Sequence, residues 1–182
     1  MKKSTIRKLL SGTIIALLIL VAFGYYRLGG LNSILVETIT VDNYYLVGRY
    51  FEATYKSDTI RAYFEEMKEY LKDGVLTGHP VIIYDQEPSG SRGKATGFIG
   101  IKLVERPSSS LYKLEKREVP AKRSIRVSKD AHISVMPNPN KIDRLIKDYA
   151  LTHALVVGDL NIEIYHPNNR LVIERPILSG VD

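Results

Sequence analysis

The sequence of 182 residues contains no cysteine and no tryptophan. Without cysteine the chain can form no disulfide bond, no thiolate zinc site and no lipoprotein-type lipid anchor, and it has no cysteine nucleophile. The four histidines, His79, His132, His153 and His166, show none of the spacings that metal ligands have, so we expect no metal site. No nucleotide-binding glycine motif is present either, and we expect no cofactor. An aromatic binding surface has to be built from tyrosine and phenylalanine.

Acidic residues are absent from the first 27 positions, and this absence accounts for most of the net charge of +6. Five of the 26 Lys and Arg residues lie in that segment: Lys2, Lys3, Arg7, Lys8 and Arg27. The rest of the chain is therefore nearly neutral. The basic excess flanks the apolar run, as is typical of the charges that set membrane topology. We therefore expect no nucleic-acid partner.

No charge interrupts the 18 residues from Leu9 to Tyr26. A helix of that length rises about 27 Å, close to the ~30 Å hydrocarbon core of a bilayer. Residues 9–27 are therefore predicted to form a single transmembrane helix, with Tyr25 and Tyr26 at the interface. The basic tail, residues 1–8, is expected in the cytoplasm. The rest of the chain is then expected on the periplasmic or extracellular side of the cell membrane.

A cleaved signal peptide is the alternative, which would make the protein a secreted one. Ala22-Phe23-Gly24 has the small-x-small pattern of a cleavage site. The flanking sequence Phe-Gly-Tyr-Tyr-Arg is a poor neighbourhood for cleavage, and the apolar run is long for a signal peptide. We therefore favour the membrane anchor, followed by a short flexible tether over residues 28–35.

Residues 36–178 have the composition of one globular domain. Two amphipathic helices are predicted, over 58–72 and 141–154, each with apolar residues on one face and a glycine beyond its end. Ser57 or Asp58 is a candidate N-cap of the first helix, and Asn138-Pro139-Asn140 opens the second. Strands are predicted by their β-branched, alternating residues over 36–41, 44–50, 79–84, 97–104, 131–136, 160–165 and 171–177.

The two halves repeat the same order of strand, helix, glycine, strand, hairpin and strand. The apolar quartet of the first helix, Ile60, Tyr63, Phe64 and Met67, matches Ile142, Leu145, Ile146 and Tyr149 of the second. This is a duplicated βαββ unit, with repeat 1 over about 36–105 and repeat 2 over about 117–178. We expect an α+β fold with one antiparallel sheet, two helices on one face and a ligand groove on the other. The basic stretch 113–129 between the repeats is interpreted as a solvated linker, and the alternative is a surface that meets anionic lipid headgroups or an acidic partner.

The strand over 160–165 supplies the candidate site. Because side chains alternate along a strand, Leu160, Ile162 and Ile164 are predicted to face the helices. Asn161, Glu163 and Tyr165 then face the open side. A carboxylate at Glu163 between apolar neighbours favours a cationic or hydrogen-bonding ligand. The alternative is a solvated residue, or one paired with a nearby Lys or Arg.

The two βαββ units, together with three short motifs, resemble the GyrI-like small-molecule-binding domains. The motifs are Ile-Ile-Tyr-Asp at 82–85, Glu-Ile-Tyr at 163–165 and Arg-Pro-Ile at 175–177, and the resemblance covers about 36–177. In that family the acidic residue of the Glu-x-Tyr strand lies in the ligand groove, which implies this role for Glu163. Tyr165 and, by the repeat, Tyr84 are then aromatic residues of the groove, and Asn161 completes the expected ligand-binding set.

The resemblance implies a domain that binds a small apolar or cationic molecule. Family regulators often carry a DNA-binding helix-turn-helix where this chain has its apolar segment, so we do not expect a transcription factor. A protein-interaction module at the membrane is the first alternative, because a membrane-anchored relative acts as a receptor. The second is a hydrolase with Glu163 as base or nucleophile, although no residue pattern singles out catalysis and we favour binding.

Overall fold

The computed structural model describes residues 3–54, 57–86, 93–104, 114–167 and 170–178, apart from the side chains of residues 3–10 and of Gln86. Its helices are α1 (Lys3–Arg27), α2 (Thr59–Lys72) and α3 (Pro139–Thr152). Its strands are β1 (Ile34–Thr40), β2 (Tyr44–Thr54), β3 (Gly78–Gln86), β4 (Lys94–Leu103), β5 (Glu115–Val119), β6 (Arg123–Lys129), β7 (Ile162–His166) and β8 (Arg170–Pro176).

All eight described strands belong to one antiparallel sheet in the order β1-β6-β8-β7-β3-β4-β2-β5. The chain order is the same in both halves: two strands, a helix and two strands. The first strand of each half pairs with the other half, so that β1 lies beside β6 and β5 beside β2. The expected α+β fold with one antiparallel sheet is confirmed. The exchange of first strands ties the two halves together.

The sheet bends strongly away from its helices. The Tyr44 hydroxyl in β2 and the Ser124 hydroxyl in β6 form a hydrogen bond of 2.7 Å. In a flat sheet these strands would be about 24 Å apart, at ~4.8 Å per strand. The connections 41–43 and 120–122 cross at the same corner, where the Val41 amide donates to the Lys122 carbonyl (3.0 Å).

This bend creates a second apolar core on the sheet face that has no helix. Tyr44, Val81, Ile83, Phe98 and Ile162 belong to it, and each is fully shielded from solvent. The core lies inside the bent sheet, so the sheet covers its own second face. That face is therefore not the open groove that the sequence suggested.

Both α2 and α3 pack on the other face, as predicted. Met67 of α2 is completely buried against a cluster that includes Phe51, Ile82 and Ile99. The α3 side chains Ile142 and Ile146 pack on β6 and β8, in a cluster with the strand residues Ile125, Val127, Leu171 and Ile173. Burial of an apolar stripe on each helix is the main force that holds it on the sheet.

The structure corrects two predicted segments. Residues 131–136, predicted as a strand, contain instead a short 3-10 turn over Ile133–Val135. The stretch 113–129, interpreted as a solvated linker, contains β5 and β6. Val119 of β5 is buried in the second core, and Ile125 and Val127 of β6 are buried under α3. Residues 87–92 of the predicted hairpin loop and residues 105–113 lie outside the described set.

The segment predicted as a flexible tether is bound to the end of β6. The Lys129 ammonium donates to the Gly30 carbonyl at 2.8 Å, and the His132 amide donates to the Leu28 carbonyl at 3.0 Å. Gly29 has φ of +76°, which favours glycine, and a side chain at Gly30 would collide with the ring of Tyr25. The end of α1 is thereby fixed against the domain.

Among the residues that the structure describes, no helix is long and apolar enough to cross a membrane.

Candidate functional site

Glu163 lies near the centre of the sheet on the helix-covered face. Strand pairing places Glu163 of β7 opposite Ile82 of β3 on one side and Ile173 of β8 on the other. Directly opposed residues point to the same face, and Ile82 and Ile173 belong to the cores under α2 and α3. The carboxylate is half-buried and lies where the two repeats meet.

The Tyr165 hydroxyl donates a hydrogen bond of 3.0 Å to the Glu163 carboxylate. The Tyr165 ring contacts the cores under both α2 and α3, and its edge-to-face contact with Phe64 of α2 has a centroid distance of 4.9 Å. Burial raises the pKa of Tyr165, and the charge and hydrogen bond of Glu163 raise it further. The phenol therefore keeps its proton and remains the donor.

Tyr84 occupies the corresponding position in the other repeat. It lies on the helix-covered face, where its ring meets Phe51 edge to face at 5.9 Å. Its hydroxyl is close enough to Tyr165 to contribute to that residue's raised pKa. The structure thus brings together three of the four predicted site residues: Glu163, Tyr165 and Tyr84.

Asn161, the fourth predicted residue, is engaged by another partner. Its side-chain oxygen accepts a 2.8 Å hydrogen bond from Arg175, whose guanidinium also donates to Asp143 of α3 at 2.9 Å. Only 2% of Arg175 is exposed. Asn161 therefore orients a buried arginine, and its predicted place in the ligand set stays a prediction.

The predicted orientation of this strand was wrong. Glu163 and Tyr165 do share one face, as alternation requires, but that face carries the helices. Ile162 and Ile164 point into the second core. Because both faces of β7 are buried, alternation shows which residues share a face without showing which face the helices cover. The predicted site residues Glu163 and Tyr165 therefore lie on the face that carries α2 and α3, and not on an open side.

Sequence reasoning also missed a cavity on the opposite face of the sheet. Its volume is about 1040 Å³, and it lies between the end of α1 and strands β1, β6 and β8. Glu163 does not line it. The cavity is lined by Arg27, Arg126 and Arg170, which are far apart in the chain and meet only in the fold. These arginines were the main feature of the sequence that could have indicated it.

Solved structures share this fold at low sequence identity. EcmrR in a complex with DNA matches with a TM-score of 0.56 and 10% identity, covering 98% of this chain and 70% of that one. A hydrolase from Listeria innocua matches with a TM-score of 0.50 and 9% identity, covering 79% of this chain and 91% of that one. At such identities the likeness shows the fold alone.

SAV2435 bound to tetraphenylphosphonium is also similar, with a TM-score of 0.45 and 11% identity, and the match covers 80% of this chain and 94% of that one. No protein-family model matches the chain. No curated protein sequence matches it either.

Proposed function

We propose that this chain is a membrane-anchored GyrI-like protein that binds a small apolar cation in the cleft between α2 and α3. The Glu163–Tyr165 pair carries the proposal, because it is a half-buried carboxylate in contact with an aromatic ring at the junction of the repeats. An apolar cation satisfies both parts of this surface. Its charge pairs with the carboxylate, and its apolar surface packs against the rings of Tyr165, Tyr84 and Phe64.

Binding requires an exchange at Glu163. In the ligand-free protein its carboxylate accepts the Tyr165 hydroxyl, and a bound cation would take the place of that donor. The Tyr165 ring can then turn its face to the cation while its hydroxyl moves toward solvent. Tyr165 is in this way a cover over the carboxylate as well as part of the binding surface.

The first test measures the melting temperature of the full chain with tetraphenylphosphonium as a probe. A ligand at one hundred times its dissociation constant stabilises the folded state by about 2.7 kcal/mol. Glu163→Gln keeps the shape but removes the charge, so we expect affinity to fall at least tenfold. Glu69→Gln, at an exposed position on α2, is the matched control and should leave affinity unchanged. A panel of apolar cations that never shifts the melting temperature would contradict the proposal.

Tyr165→Phe separates the two roles of the tyrosine. The ring stays, while the hydroxyl that occupies Glu163 is lost. We expect cation affinity to be retained or to increase, in contrast to the loss in Glu163→Gln. If neither variant changes cation binding, and crosslinking in membranes captures the same protein partner with both, the interaction-module alternative is favoured instead.

A hydrolase is the second candidate, and the Tyr165–Glu163 hydrogen bond is the observation that favours it. A carboxylate next to a protonated phenol can act as a base or nucleophile while the phenol donates a proton to the leaving group. Turnover of epoxides or activated esters that Glu163→Gln abolishes, with the melting temperature preserved, would support this activity. Binding without turnover excludes it for the compounds tried.

The membrane anchor is proposed from residues 9–27. The apolar side chains of α1 from Ile14 to Phe23 are highly exposed, as for Ile14 (50%) and Leu20 (69%), and none of the described residues of the domain covers them. The uncharged run also includes Leu9 and Leu10, whose side chains lie outside the described set. The N-terminus is proposed to be cytoplasmic and the domain external.

Carbonate extraction and protease protection test this anchor. We expect the full chain to stay with membranes at high pH, and protease added from the outer side to digest the domain. The mass of the mature protein distinguishes the alternative, because a cleaved signal peptide would remove residues up to about position 24. Release by carbonate with an intact N-terminus would contradict both readings.

A further inference from the structure

The 1040 Å³ cavity lies where α1 meets the sheet, on the face opposite Glu163. One wall is the end of α1, including Tyr26 and Arg27, and the floor is formed by β1, β6 and β8. If residues 9–26 cross a bilayer, Tyr26 and Arg27 mark the level of the lipid headgroups. The cavity therefore opens beside that level, and this part of the argument rests on the proposed anchor.

One arginine of the floor is held rigidly by a buried carboxylate. Glu174, of which 1% is exposed, accepts from Arg126 Nε at 2.9 Å and from Nη2 at 2.7 Å. Nη1 lies 3.9 Å from Glu37, beyond hydrogen-bond distance, and 36% of the Arg126 side chain is exposed. The guanidinium is thus fixed in place with one edge directed away from its main partner.

Two further arginines supply the excess charge of the lining. The positive charges of Arg126 and of Lys102, which lies 3.4 Å from Glu174, are balanced by the carboxylates of Glu174 and Glu37. Arg27 and Arg170 line the cavity and make no ion pair with any residue in the described ranges.

Asp130 is the remaining carboxylate of the lining, and its backbone carbonyl is used by the Asn32 side chain. Ser128 and the imidazoles of His132 and His166 add hydrogen-bond donors to the same lining. Arg27 and Arg170, which have no ion-pair partner within the described residues, face one carboxylate, so the lining is cationic and rich in donors. This is the chemistry that recognises a phosphate oxygen.

We propose that this cavity is a binding site for a phosphate group, supplied by the headgroup of an anionic phospholipid. Arg27 and Arg170 pair with the phosphate, and the fixed edge of Arg126 donates from the floor. The acyl chains stay in the bilayer beside α1. A bound headgroup would hold the sheet against the membrane surface and so fix the orientation of the cation cleft on the other face.

Native mass spectrometry of the full chain in detergent tests the site directly. The protein is mixed with equal amounts of phosphatidylglycerol and phosphatidylcholine, and retained lipid is counted. We expect phosphatidylglycerol to be retained in preference. In Arg27→Gln/Arg170→Gln its affinity should fall about fivefold for each arginine. Arg144→Gln, an exposed arginine of α3 on the opposite face, is the matched control and should retain the lipid.

Competition with a soluble phosphate compound identifies the source of the phosphate. Glycerol 1-phosphate in millimolar excess should not displace the lipid if the headgroup is held at the membrane. Displacement, with the same loss in the double variant, supports the phosphate site with a soluble occupant. Equal retention of both lipids, or an equal loss in Arg144→Gln, overturns the proposal.

Folding and the cation cleft are followed separately. Both substituted arginines are exposed, so the double variant should keep its melting temperature; if it does not, Arg170→Gln alone is compared with wild type. The cleft uses the opposite face, so tetraphenylphosphonium should bind the double variant as it binds wild type. Loss of phospholipid binding with cation binding intact would therefore show that the substitutions affect this cavity and not the cation cleft.

Discussion

Arg175 shows how one residue beside the candidate cleft links three elements. It extends from β8 to Asn161, just before β7, and to Asp143 on α3, and it is almost completely buried. Its Nη1 has no hydrogen-bond partner among the described residues. Partial burial raises the pKa of Asp143, but hydrogen bonds from Lys147 and Arg175 outweigh it and hold that pKa below its usual value.

Asp143→Asn tests the value of this link. The substitution keeps the size of the side chain but leaves the buried Arg175 without its counter-charge, so we expect a loss of about 2 kcal/mol in unfolding free energy. Lys147→Ala removes the exposed partner of the same carboxylate and should cost at most about 0.5 kcal/mol. Urea unfolding of the full chain measures both. Equal costs would show that Arg175 does not depend on Asp143.

The two amphipathic helices begin in different ways, although both starts were predicted. The Asn138 side chain accepts from the Lys141 amide at 2.8 Å, so α3 has a side-chain N-cap. Asp58, at the start of α2, makes no such bond, and the Ser57 hydroxyl accepts from the Thr59 amide at 3.2 Å instead. The residue types indicated the start of each helix, while the local backbone decided which oxygen caps it.

Asn138→Ala is expected to destabilise the protein by about 1 kcal/mol, because the first turn of α3 loses the acceptor for one of its free amides. Asn140→Ala, two residues further on at an exposed position, is the control and should change stability by less than half of that. Thermal unfolding followed by circular dichroism measures the difference. A larger effect at Asn140 would contradict the assigned cap.

At the scale of the whole molecule, the two halves meet along β3 and β7, where a pair of histidines is in contact. The rings of His79 and His166 are 4.3 Å apart between centroids. Burial lowers the pKa of both, and Lys102 lowers that of His79 further, while His79 and Arg170 lower that of His166. Both imidazoles therefore favour the neutral form in the folded protein.

The sign of the pH dependence follows from these shifts. An unfolded histidine takes up a proton near pH 6.5, whereas the folded pair does so only at lower pH. The stability contributed by this pair is complete above about pH 6.5 and falls as the pH decreases. The melting temperature should drop between pH 8 and pH 5. The pH dependence of the unfolding free energy should correspond to the uptake of at most two protons on unfolding.

His79→Gln/His166→Gln should flatten that slope between pH 6.5 and 5. His153→Gln, at an exposed position after α3, is the control and should leave the slope unchanged. Further loss below about pH 4 is expected in all variants, because the pKa values of Glu66 and Asp143 are lowered by their basic partners. An unchanged slope in the double variant would contradict this role of the pair.

The sequence by itself determined the elements that repeat. The spacing of apolar residues placed both helices, and the matching registers of Ile60 and Ile142 revealed the duplication. It also paired Glu163 with Tyr165 and related Tyr84 to Tyr165, since alternation along a strand and the repeat depend only on local geometry. Strands β5 and β6 were missed because the segment is rich in basic residues, and the burial of Val119, Ile125 and Val127 depends on packing with distant elements.

Only the tertiary structure decided which face carries the site. Both faces of β7 are buried, one under α2 and α3 and the other inside the bent sheet, so no periodicity distinguishes them. The bend itself depends on the exchange of β1 and β5 and on the contact of Tyr44 with Ser124, which are 80 positions apart. The arginine-lined cavity likewise arises where distant residues meet. Long-range packing fixes such features, and a pattern read along the chain contains no record of it.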